Sequence, residues 1–440
     1  MFNSSIQNYR DALGGRLAAQ NHNANQKIMS SAGFVGISYL IYLLLSLIMP
    51  SGHIGLLNVK FIALVAVICF FLISRQTFTK RYLLVSITIL LACMFWLFIG
   101  ILEVRETIMP VAQFKAVGIT LLLPMLAYHL LRKNLITEKQ IYQVILYSTV
   151  TIALLKLLLI VYTAAVGINF IGATQDIAKY FRTQIMTMHI SRYIYRFELP
   201  SDLAAPIAMF ILLLEKRHGV DLNISKTIKA IYFLLIIFTV FISYSRYIWA
   251  MLLIVFIVAG ALSRNGMKYL LAAIVTMGVA AIAYHSDVQI VIERFSSSAT
   301  TASDNIRLTE LPILIKYFEI SPIIGHGFGA YVPSFIRDVR DKFSYELQWV
   351  ALLMQIGMVG FLAVGSLIAL VMAPFFRPPL NKTKIAILLI LMLWLSSGLF
   401  NPYLTSSAAG AIFTYFVAAG YSVRRVRRSY IWHFRSLREG

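Results

Sequence analysis

The chain has 440 residues, of which 59% are hydrophobic and only 13% charged, and its formal net charge is +21 at pH 7. A soluble domain carries about 25% charged residues, so this composition excludes an ordinary soluble protein and indicates an integral membrane protein. The basic excess first reports the sides of a membrane, and no nucleic-acid partner is expected.

The first thirty residues are polar, rich in Asn, Gln and Ser, and no short apolar stretch with a cleavage site follows them. The first apolar run is therefore expected to remain as an anchor. Apolar runs of about 18 residues or more can cross a bilayer as helices. About twelve such spans are expected, at roughly 31–49, 57–74, 82–101, 111–131, 141–166, 199–214, 228–245, 246–262, 268–284, 346–376, 383–399 and 404–421. Cys69 and Cys93 both lie within apolar runs, so no disulfide framework is indicated.

With the N-terminus in the cytoplasm, the basic connections fall on the cytoplasmic side. They hold Arg75, Lys80 and Arg81; Arg132, Lys133 and Lys139; Lys216, Arg217, Lys226 and Lys229; Arg264 and Lys268; Arg377, Lys382 and Lys384. The tail RRVRRSYIWHFRSLREG joins them. The reading is an all-α polytopic, multi-pass membrane protein. A cytoplasmic tail (1–30) precedes one membrane domain (31–421), and a basic cytoplasmic tail (422–440) follows it. Two outer segments, about 167–198 and 285–345, are too long for turns. The second holds aromatics, Pro322 and the cluster GHGFG at 325–329, and is expected to fold, partly as helix, on the outer face.

Some cations break the sidedness rule. Lys60, Lys115, Lys156 and Arg246 lie within or at the ends of apolar runs, all in the outer half of this topology. The outer segments add Arg182, Arg192, Arg196, Arg307, Arg337 and Lys342, among others. Snorkelling toward headgroups accounts for any single lysine. A set of cations at one face also suits an anion-binding cavity, since guanidinium forks match phosphate. Arg246, in FISYSRYIWAM, fits either a tight turn between helices or a buried contact to a ligand phosphate.

Four stretches, in order, carry a resemblance: RYIYRFELPSDLAAP at 192–206, SYSRYIWAML at 243–252, RLTELPILIKYFEISPIIGHGFGAY at 307–331 and YELQWVALLMQIGMVGFL at 345–362. Together they resemble the O-antigen polymerase and O-antigen ligase superfamily of bacterial envelope glycosyltransferases. Ligases of that superfamily carry a histidine eleven residues before the first glycine of a Gly-x-x-Gly element. Counting back from Gly357 gives Glu346. The resemblance, with a carboxylate in the histidine's place, implies a polymerase.

On that resemblance the chain is expected to be an inverting, membrane-embedded glycosyltransferase of the GT-C type. It would join undecaprenyl diphosphate-linked repeat units into O-antigen or a related surface polysaccharide at the periplasmic face. No cofactor and no metal are expected, and the sequence holds no Asp-x-Asp and no clustered His/Asp set. Glu346 is the expected catalytic base, since sugar transfer needs a base near the acceptor hydroxyl and positive charge at the departing diphosphate. Its place at the outer end of a helix, beside arginines, favours the ionised carboxylate. A helix cap or a salt bridge to a loop arginine is the structural alternative for Glu346. Arg246, Arg196, Arg192 and Arg307 are the expected diphosphate clamp; a helix-capping role or an ion pair with Glu310 is the alternative for Arg307. The glycines at 325, 327 and 329 fit either phosphate approach or plain turn geometry, and His326 is read as a packed loop histidine. Expected partners are the lipid-linked oligosaccharides, membrane lipids and a chain-length regulator protein. Two other functions stay open: a ligase moving glycan onto lipid A-core, and a transporter or flippase for lipid-linked oligosaccharide.

Overall fold

The computed structural model of the chain describes residues 31–49, 51–73, 78–183, 185–189, 195–215, 220–262, 297–378 and 380–436, with a few scattered positions between 267 and 275. The expected N-terminal tail and most of the expected span 268–284 lie outside the described residues. The helices are α1 (Ser31–Ile48), α2 (Val59–Ile73), α3 (Lys80–Val104), α4 (Ile108–Arg132), α5 (Glu138–Val166), α6 (Phe170–Tyr180) and α7 (Ala204–Leu214). There follow α8 (Lys226–Ser243), α9 (Arg246–Leu262), α10 (Ser297–Phe318), α11 (Gln348–Phe376), α12 (Lys382–Ser396) and α13 (Ser407–Ser436).

Six of the expected spans are helices long and apolar enough to cross a membrane: Tyr82–Val104, Ile108–Arg132, Glu138–Val166, Lys226–Ser243, Gln348–Phe376 and Lys382–Leu399. Gly33–Ile48, Val59–Ile73, Pro200–Leu214, Arg246–Leu262 and Ser407–Val423 are shorter apolar helices. Among the described residues, strands enter only as two hairpins. β1 (His53–Ile54) pairs antiparallel with β2 (Leu57–Asn58), and β3 (Met186–His189) with β4 (Tyr195–Glu198).

Capping chemistry marks the basic end of the bundle. α3, α5, α8 and α12 each start with a side-chain cap there. Thr79 accepts from Tyr82 N, Thr137 from Gln140 N, Ser225 from Ile228 N and Asn381 from Lys384 N. Each cap satisfies one of the orphan N–H groups of a helix start. At the centre, a 3₁₀ turn (Pro200–Leu203) leads into α7, whose residues are almost all buried whichever way they point. A helix that is apolar all round belongs in a core. Here α1, α4, α5, α8, α9, α12 and α13 supply the surrounding side chains, Trp394, Tyr39 and Phe416 among them.

Alternating helix directions gather the long connections at the opposite end. Hydrogen bonds tie these connections into one cap: Gly55 N to Tyr180 O at 3.1 Å, Ser51 Oγ to Phe181 O at 2.5 Å, and Lys342 Nζ to Glu106 Oε1 at 3.3 Å. Residues 319–347 have no regular structure, and part of this stretch sinks into the bundle.

Its depth is made possible by a break in α11. Gly357 has φ 64° and ψ −175°, so the helix divides there. A broken helix leaves backbone groups without intrahelical partners. The loop supplies them: Met358 N donates to Pro322 O at 2.9 Å and Val359 N to Ile323 O at 3.1 Å, while Met354 O accepts from His326 N and Gln355 O from Gly327 N. On the other side, Phe328 N donates to Trp96 O at 2.9 Å and Trp96 Nε1 to Ile324 O at 2.8 Å. Irregular backbone at membrane depth is tolerated when protein surrounds and satisfies it.

Candidate functional site

Glu346 lies two residues before α11, 8% exposed, between two guanidinium groups. Arg337 Nη2 donates to its Oε1 at 2.5 Å, and Arg307 Nε lies 2.8 Å from its Oε2. Arg307 comes from α10, and Arg337 from the irregular loop. Arg307 also pairs with Asp304 at 2.9 Å and carries the ring of Phe400 5.5 Å from its Cζ.

The cap of α11 comes from a different carboxylate. Glu310, with no exposed surface, accepts from Leu347 N at 2.8 Å. Burial pushes the Glu310 carboxyl above the usual range, opposed by the backbone N–H groups of Leu347 and Glu346. The alternative partner named for Arg307 is thus corrected: its acids are Glu346 and Asp304, because Glu310 turns to the helix start.

Arg196 stands on β4 and donates to the buried Glu198, with Nε 3.1 Å from Oε2. Burial raises the Glu198 carboxyl and the Arg196 charge pulls it back. Nearby, the buried Tyr403 hydroxyl is 3.5 Å from Met186 Sδ, and burial, with the charges of Glu198, Arg196, Asp202 and Arg337 acting on it, pushes its phenol up. Arg246 opens α9 and is half-buried. The next residue, Tyr247, stacks on Phe400 at 5.6 Å, the same ring that faces Arg307. Arg192 lies outside the described residues.

The other out-of-place cations have plainer roles. Lys156 forms a buried ion pair with Asp202 at 2.6 Å and donates to Phe197 O at 2.9 Å. Lys60 donates to Ser407 Oγ at 2.8 Å, and Lys115 is exposed on its helix. His326 is buried between Glu103 Oε1, 3.1 Å from Nδ1, and Tyr317 O, 2.8 Å from Nε2. Gly325, Gly327 and Gly329 face protein backbone, so phosphate approach at these three positions is not what their missing side chains serve. A Cβ would fall 2.4 Å from Gly357 N at the first, 2.0 Å from Gly100 N at the second and 2.3 Å from Pro110 N at the third.

Next to the cluster is a cavity of about 260 Å³, lined by residues that include Gln113, Arg182, Asp341, Tyr345, Gln348, Gln355 and Tyr403. None of Arg246, Arg196, Arg307 and Glu346 lines it. The structure therefore joins Arg307 to Glu346 directly, and sets Arg196 and Arg246 at the same end without direct contact to that carboxylate. Sequence reasoning missed Arg337 as the second partner of Glu346, and missed the glutamines. Arg337 is one of several loop cations, and no periodicity singles it out.

Residues 231–365 match a family model described as O-antigen ligase. The matched stretch contains Arg246, Arg307, Arg337 and Glu346. Searches of curated proteins and of solved structures found no match.

Proposed function

We propose that this chain, which belongs to the O-antigen polymerase/ligase superfamily, is a polysaccharide polymerase. It joins repeat units carried on undecaprenyl diphosphate, at the periplasmic face of the inner membrane. The observation that carries the reading is the buried carboxylate of Glu346 held between Arg307 and Arg337 at the start of α11.

In the reaction, an acceptor hydroxyl oxygen attacks the anomeric carbon of the donor sugar. The bond from that carbon to the carrier diphosphate breaks with inversion, and the hydroxyl proton passes to Glu346. Two guanidiniums neutralise the Glu346 carboxylate and occupy both of its oxygens before substrate arrives. An incoming diphosphate competes for the same guanidiniums, which fit phosphate oxygens in bidentate fashion. Loosening the two ion pairs frees the carboxylate while the leaving group gains positive charge. Both arginine side chains keep a solvent-facing part, 20% and 29% exposed, against 10% for Glu346. Arg246, with no ion pair among the described residues, serves the second carrier diphosphate in this scheme.

Purified protein in nanodiscs, given lipid-linked repeat units alone, is expected to yield a glycan ladder on a gel. Glu346→Gln is expected to abolish the ladder with the thermal midpoint retained. Full polymer from that variant would remove the mechanism. A ligase reading is favoured by one observation, the description of the matching family. It is separated by the acceptor, since a ligase transfers glycan only when lipid A-core is added.

A further inference from the structure

The cavity beside Glu346 plays no part in the chemistry above, and its wall differs from the arginine cluster. Side-chain amides of Gln113, Gln348 and Gln355 line it, together with Thr405 and the ring of Tyr403. Among the described residues its lining holds one cation, Arg182, and one carboxylate, Asp341. Such a wall offers no excess charge for a diphosphate.

The amides are fixed in place. Gln113 Nε2 donates to Gln355 Oε1 at 2.5 Å, and Gln113 Oε1 accepts from Gly329 N at 2.5 Å. Gln348 Nε2 donates to Thr405 Oγ1 at 2.5 Å, and Gln348 Oε1 accepts from Leu404 N at 2.7 Å. A primary amide has two N–H groups and two acceptor positions. Gln113 and Gln348, both buried, thus keep one N–H each beyond those hydrogen bonds. These hydrogen bonds orient the amides before a ligand arrives, which lowers the ordering cost of binding.

We propose that this cavity seats the sugar of the acceptor unit, an uncharged pyranose that meets amides and hydroxyls with its own hydroxyls. Its volume, about 260 Å³, falls just below the range of about 300–1,000 Å³ that holds drug-sized ligands, so it suits one or two rings and not a chain. Tyr345, just before Glu346 in the chain, and Gln348, at the start of α11, both line it. A sugar there is placed to turn one hydroxyl toward that carboxylate. The assignment of this sugar as the acceptor rests on the polymerase reading, whereas binding of the sugar does not.

The test uses the full chain in nanodiscs and the free repeat-unit oligosaccharide, released by mild acid from the producing cell's lipid-linked intermediate. Ala116→Phe fills the cavity without removing a polar group, since Ala116 is on its wall. Thr405→Val removes one hydroxyl and keeps the shape. Saturation-transfer NMR is expected to show saturable binding by the wild type and by Glu346→Gln. Binding is expected to weaken about tenfold or more in Ala116→Phe and several-fold in Thr405→Val. In turnover, acceptor KM rises by similar factors while kcat at saturation stays within about twofold, the pattern of lost uniform binding. Wild-type binding and KM in both variants, with folding intact, overturn the cavity assignment. Oligosaccharide that binds the wild type and not Ala116→Phe, with no polymer formed from repeat units, upholds the sugar site and refutes the polymerase instead.

Discussion

At the scale of single residues, the two buried carboxylates near α11 divide the work. Glu346 faces guanidiniums and Glu310 faces backbone N–H groups. Arg337→Gln is expected to lower kcat/KM at least tenfold, about 1.4 kcal/mol of transition-state stabilisation, because half the charge around Glu346 is lost. Measurement with purified protein and lipid-linked units checks this, and unchanged kcat/KM would remove Arg337 from the site. For Glu310 the prediction concerns pH. Burial raises its folded carboxyl pKa, so the folded state holds the proton more tightly than the unfolded chain. Stability then declines as pH rises from the ordinary carboxylate value of about 4.3 up through the raised folded value. Glu310→Gln keeps an acceptor for Leu347 N and removes that titration. Its thermal midpoint is expected to gain on the wild type across this window; parallel pH profiles would contradict the assignment. Glu346 could be singled out in the sequence because it is the last ionisable group before a long uncharged run and stands where the resemblance to the ligases puts a histidine. Arg337 could not, because a loop has no period by which one cation is chosen over its neighbours.

At the scale of elements, α11 and the glycine loop form one unit. The expected span 346–376 is a single apolar run, and hydropathy has no signature for the break at Gly357. The glycines were visible as turn formers, but what they touch is non-local. Gly327, with φ +81°, rests on Gly100, more than two hundred residues earlier in the chain. A left-handed backbone and a backbone neighbour both exclude a side chain there. Gly327→Ala is therefore expected to cost more than about 3 kcal/mol, enough to abolish a monodisperse peak on gel filtration. Gly365→Ala, at an exposed position of α11 where a Cβ meets nothing within 4 Å, is the control and is expected to be neutral or slightly stabilising. Equal yields from the two variants would show that the loop tolerates displacement from the broken helix.

At the scale of the whole molecule, charge and structure agree on two unlike ends. One is basic, with short connections and capped helix starts; the other carries the hairpins, α10, the irregular loop and the cavity. The six long helices were read from apolar length alone, because a backbone in hydrocarbon must satisfy its own hydrogen bonds. The cavity was not readable, since its wall draws on residues as far apart as Ser51 and Ser406. The sidedness rule places the basic end in the cytoplasm, so the cavity end is expected to face the periplasm. Single-cysteine reporters decide this once Cys69 and Cys93 are replaced. Val339→Cys, at a position 80% exposed in the irregular loop, is expected to react with a membrane-impermeant maleimide on intact spheroplasts. Asp221→Cys, exposed in the connection between α7 and α8, is expected to react only after the membrane is opened. The reverse pattern would put the buried carboxylate and its arginines on the cytoplasmic side, where an exported carrier is not yet available, and the polymerase would have to be abandoned.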